Sequence, residues 1–78
     1  MKILSISHKM RKGSLDDDYT LFENGDVLHE YDKSIYPGGQ NYSDTYKVNQ
    51  LSMEIKQRLL DASSDENREL VRNILGMD

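Results

Sequence analysis

Two histidines, His8 and His29, and the acidic run Asp16-Asp17-Asp18 are the residues best equipped for proton transfer or metal binding in this chain. Their spacing argues against both. Neither histidine belongs to a His-Glu-x-x-His pair, and the three acids lack the alternation and terminal glutamate of a calcium loop. Consecutive acids on a loop hold a divalent ion weakly and are ordinarily solvated. A histidine on a sheet is far more often packed or exposed than catalytic. Nucleophilic chemistry lacks its parts as well. The chain has no cysteine, there is no Gly-x-Ser-x-Gly elbow, and strand alternation puts Ser5 and Ser7 on the face opposite His8. Gly38 and Gly39 offer backbone amides, but without the Gly-Lys-Ser/Thr ending of a phosphate loop. No catalytic residue, metal ligand or cofactor is therefore expected.

Recognition is the chemistry that the composition favours. Residues 31–46 hold four of the five tyrosines, the only proline and two of the five glycines. Tyrosine among Ser, Gly and Asn is the palette of adaptable binding loops, large in contact area and low in entropic cost. The competing role is a lid over the core, with Tyr31 and Tyr46 turned inward and Tyr36 and Tyr42 outward. The candidate binding residues are Tyr36, Gly38, Gly39, Asn41 and Tyr42, joined by Asp16, Asp17 and Asp18.

Charge is segregated along the chain. Residues 1–12 carry +4 and residues 13–32 carry −7, while the remainder is close to neutral, within a net charge of −4. An acidic centre disfavours general nucleic-acid binding, which needs clustered base. The absence of cysteine removes disulfides and fits a reducing interior. No stretch approaches the roughly 18 apolar residues of a membrane span, and the start is too polar for a signal peptide. A cytoplasmic location is expected, which makes the Asn41-Tyr42-Ser43 glycosylation pattern accidental.

The elements that must position these residues divide the chain into a β half (1–32), a Tyr/Gly/Pro-rich crossover loop (33–47) and a helical half (48–76) of one small domain. From Lys2 to Met10 the period is two, with Leu4, Ile6, His8 and Met10 on one face and Ser5, Ser7 and Lys9 on the other. The Asp16–Asp18 run reads as loop, because its repulsion and low β-propensity oppose a strand. Asn24-Gly25 between β-formers marks a hairpin. Its two-residue loop would pair Phe22 with Val27. A three-residue loop with a glycine bulge would pair Leu21 with Val27 and gather Tyr19, Leu21, Val27 and Tyr31 on one face, the better core. Tyr36-Pro37-Gly38-Gly39 suits a type II turn. From Val48 the period becomes helical, through Leu51, Ile55, Leu59 and Ala62, with Asn49 or Ser52 as cap. Ser63 and Glu66 have capping-box spacing, a second helix presents Leu70, Val71, Ile74 and Leu75, and Gly76 stands at its C-cap.

The expected fold is α+β: a small three-stranded antiparallel sheet, the N-terminal strand plus the Asn-Gly hairpin, covered by a C-terminal αα-hairpin. The alternative is a helical hairpin packed on a partner chain. The expected function is a non-enzymatic acidic protein-interaction module that binds through the tyrosine loop and the acidic hairpin. An inhibitor, an immunity-type protein or a phage-encoded antagonist occupying a basic site would fit that description. The competing reading is a nucleic-acid-associated regulator using the basic N-terminal strand with Arg68 and Arg72. A homodimer formed through the helices is a further possibility.

Overall fold

The computed structural model describes residues 2–11, 15–33, 38 and 41–77. Five strands precede two helices: β1 (Ile3–Ser7), β2 (Met10–Arg11), β3 (Leu15–Phe22), β4 (Asp26–Tyr31), β5 (Tyr42–Lys47), α1 (Met53–Ala62) and α2 (Arg68–Leu75), with a 3-10 turn over Val48–Gln50 ahead of α1. Four strands lie side by side in the order β1-β3-β4-β5, all antiparallel, and the two-residue β2 pairs with the start of β3. The architecture is α+β with a helix pair at the C-terminus, but the sheet has four main strands rather than three.

The additional strand is β5, which occupies the second half of the stretch read as a crossover loop. Asn41 enters it at φ 63, a left-handed conformation that asparagine tolerates. The Asp32 carboxylate accepts its backbone N–H at 2.9 Å. From there Tyr42 to Lys47 pairs with β4 residue by residue. Its sequence alternates no apolar residues because it is an outer strand and largely exposed on both faces. Periodicity therefore gave no signal.

The Asp16–Asp18 run is also strand, not loop. Alternation sends Asp17 to one face of β3 and Asp16 and Asp18 to the other, so adjacent carboxylates point apart. Asp17 is held by His29 and Arg58, and Asp18 by His8. These partners offset the repulsion that argued against a strand.

The β3–β4 connection is the three-residue loop, with Leu21 opposite Val27 and Gly25 at φ 89. This register puts Tyr19, Leu21, Val27, His29 and Tyr31 on the inner face, the one the helices approach. β1 behaves otherwise than its alternation implies. A bulge between Ile3 and Ser5 inserts one residue. Leu4 turns inward, but so do Ser5 and Ser7, and Ile6 turns outward at 53% exposure. The buried hydroxyls are satisfied: Ser5 donates to the Leu59 carbonyl at 2.6 Å, and the Ser7 Oγ accepts from Arg58 at 3.1 Å.

The core sits between the inner face and the helices. Leu4, Leu21, Val27, Leu59, Leu60, Val71 and Leu75 form it, with Tyr19, Val48, Leu51, Ile55, Ile74 and Met77 packed at its margin. Ser52, not Asn49, caps α1, its Oγ accepting from the Ile55 N–H. The Ser63–Glu66 box does not form; the Ser63 hydroxyl instead donates to the Leu60 carbonyl at 2.5 Å, and α2 begins only at Arg68. α2 buries Val71 and Leu75 while Leu70 faces outward, and Gly76 closes it at φ 72. No helix among the described residues is long and apolar enough to cross a membrane.

Candidate functional site

Strand alternation divides the chemistry-bearing residues between two sites. On the inner face Asp17, His29 and Arg58 meet, with side chains 13%, 14% and 14% exposed. One Asp17 carboxylate oxygen lies 2.6 Å from His29 Nε2, and the other accepts from Arg58 Nη1 at 3.0 Å. Arg58 also donates to the Asp17 carbonyl at 2.8 Å, so α1 is latched to β3 through both the backbone and the side chain. Burial raises the Asp17 pKa, but the hydrogen bonds and positive charges of His29 and Arg58 outweigh it. The net position is below the ordinary carboxylate value.

Rings stack along the same face. Tyr19 and His29 lie 4.1 Å apart and nearly parallel, His29 and Tyr31 follow at 4.5 Å, and Tyr31 and Tyr42 at 5.9 Å. The Arg58 guanidinium sits 5.0 Å from the Tyr19 ring at one end, and the Lys33 ammonium 4.5 Å from Tyr42 at the other. The Tyr31 hydroxyl donates to Asp44 at 2.8 Å, which raises its pKa above the ordinary phenol value. His29 is thus covered on both ring faces and bonded at Nε2. Tyrosines 31 and 46 are half-buried and Tyr42 is more exposed.

The second site lies at the end of the sheet. Asp16, Asp18 and Glu30 of the outer face meet Asp32, Asn41, Ser43 and the inner-face rings of Tyr31 and Tyr42 around an open hollow of about 180 Å³ at the end of β3 and β4 distant from the hairpin turn. Four of the proposed binding residues, Asp16, Asp18, Asn41 and Tyr42, are thereby brought together from segments that are distant in sequence. Asp17 is not among them; its carboxylate is bonded to His29 and Arg58. Gly38 does not line the hollow, but its carbonyl accepts from the Tyr42 hydroxyl at 2.6 Å. Tyr36 and Gly39 lie outside the described residues, as does most of the proposed type II turn.

Glu30 and Asp32 were missed as site residues, although the preferred hairpin register already placed Glu30 opposite Asp18. Ser43 was missed because β5 was. No cation forms an ion pair with Asp16 or Glu30 among the described residues. His8 bonds Asp18, and Lys47 bonds Asp26 near the turn, where that contact, before the Asn24 amide, depresses the Asp26 pKa. Among the described residues no group of three or more His, Asp or Glu side chains is arranged to hold a metal ion.

The arrangement can therefore present negative charge beside a tyrosine and an asparagine. Comparison with protein-family models, with curated proteins and with solved structures finds no match for this chain.

Proposed function

We propose that this protein is a non-enzymatic interaction module that binds a basic site on a partner protein. The observation that supports this reading is the hollow where Asp16, Asp18, Glu30 and Asp32 converge beside Asn41 and Tyr42. Carboxylates gathered at the end of a sheet, of which Asp16 and Glu30 form no ion pair among the described residues, attract a cationic surface at long range, and the neighbouring tyrosine and asparagine supply short-range contacts. An inhibitor or immunity-type protein occupying a basic functional surface has this chemistry.

The nucleic-acid reading has less behind it. Of the groups it relies on, the basic N-terminal strand pairs with the acidic β3, and Arg68 lies near Asp65. The stacked rings spend their faces on one another, whereas single-strand binders offer ring faces to bases.

The test is affinity capture from the native host with the wild type and an Asp16→Asn/Asp18→Asn/Glu30→Gln variant side by side. A partner captured at low salt, released as salt rises and absent with the triple variant is expected. Equal capture by the two proteins would refute the reading.

A further inference from the structure

We propose that the outer face of the sheet, opposite the helices, docks a basic amphipathic helix of the partner, its apolar stripe seated on Ile3, Ile6, Phe22 and Leu28 and its Lys/Arg flank on Asp18 and Glu30. The inference rests on the interaction reading above and extends it from the acidic hollow to the whole face.

The register orders this face into rows running across the strands. Ile6, Thr20, Leu28 and Thr45 are successive cross-strand neighbours and form the central row. Toward the hairpin turn the next row holds Ile3 opposite Phe22, and in the other direction Asp18 faces Glu30 and Glu30 faces Ser43. Apolar and acidic rows are thus two residues apart along a strand, about 6.6 Å. Along a row, neighbouring strands lie about 4.8 Å apart, close to the roughly 5–6 Å between side chains on successive helical turns, so a helix lying along the rows can seat a leucine stripe on the apolar residues and turn a lysine flank toward the acidic row.

Both helices of the protein lie on the other face, which leaves Ile3 at 47% and Ile6 at 53% exposure. A shallow depression lined by Phe22, Asp26, Leu28 and Thr45 adjoins them. Single exposed isoleucines are ordinary, but here Ile3 and Ile6 are exposed beside the half-buried Phe22 and Leu28, which gathers apolar surface on one sheet face as interaction sites do.

Charge selects the occupant. Among the described residues, His8 and Lys47 of this face are bonded to Asp18 and Asp26, while Asp16 and Glu30 form no ion pair. A second copy would bring the same acids against these, whereas a basic helix would neutralise them.

The test is titration of the protein with a leucine/lysine peptide of helical periodicity. A peptide with serine for leucine is the control, and Ile3→Thr/Ile6→Thr and Asp18→Asn/Glu30→Gln are the variants. The threonine substitutions keep β-branched residues at exposed strand positions, and far-ultraviolet circular dichroism checks folding. Single Ile6→Thr replaces the pair if the pair fails to fold. The leucine peptide should bind the wild type, and either variant should weaken it about tenfold or more. The serine peptide should bind as weakly as the leucine peptide binds the threonine variant. Equal binding of both peptides, unaffected by the threonine changes, overturns the apolar seat while leaving the anionic reading standing. Failure of the leucine peptide to bind overturns the docking proposal, and the acidic hollow is then judged by its own capture experiment. Self-association of the wild type that disappears in Ile6→Thr overturns it in favour of a second copy.

Discussion

Asp17 and Asp18 are adjacent in sequence and identical in chemistry, yet they occupy opposite environments. Asp17 lies under the helices, bonded to His29 and Arg58 and backed by the column of rings. Asp18 lies on the outer face, where its partner is the exposed His8 and its neighbours are Glu30 and the acidic hollow. A carboxylate placed inside acts as a structural rivet, because charge removed from water must be met by charge and hydrogen bonds. A carboxylate left outside with few partners contributes little to folding and remains free to act on something else. The backbone pleat alone separates the two roles.

The largest effect expected from breaking this comparison is that of Asp17→Asn. It leaves Arg58 without its anion in a largely buried position, and chemical denaturation should show a loss of about 3 kcal/mol. Acid sharpens the same point. The Asp17 pKa is lowered on folding, so its contribution is complete above the unfolded carboxylate value of about 4 and is lost as pH falls through the folded value. Wild-type stability should fall across that window, and Asp17→Asn should lack this part of the fall. Identical acid profiles for the two proteins would show that Asp17 is no rivet.

Smaller is the expected effect of Tyr42→Ala, which removes the outermost ring of the column and its hydrogen bond to the Gly38 carbonyl. About 1 kcal/mol is expected from thermal unfolding, together with weaker partner capture. The smallest belongs to Asp16→Asn/Asp18→Asn, which should shift stability by no more than about 0.5 kcal/mol in either direction. A loss as large as that of Asp17→Asn would erase the distinction between the faces.

Much of this arrangement was legible in the sequence. Asn24-Gly25 marked the hairpin, and the demand for an apolar face selected the register pairing Leu21 with Val27. The change of period at Val48 located the helical half, and Gly76 its final cap. What escaped notice was held by partners distant in the chain. The acidic strand depends on Arg58, forty-one residues away, and on His29. β5 has no apolar alternation because neither of its faces is closed, so only pairing with β4 defines it. Half of the candidate site was named because the residue types themselves suggested recognition. Its remaining acids became visible only through register, which no local pattern carries.

The bulge between Ile3 and Ser5 acts as a parity bit for the first strand. Without the inserted residue, Leu4, Ile6 and His8 would share the core side, as plain alternation suggests. With it, Leu4 stays inside, and every later position of β1 exchanges faces. Two serines are thereby committed to the interior, where Leu59 and Arg58 satisfy them, and an isoleucine is released to the surface. The apolar character of the outer face at that edge is therefore encoded less by which residues β1 contains than by the count of residues that precede them.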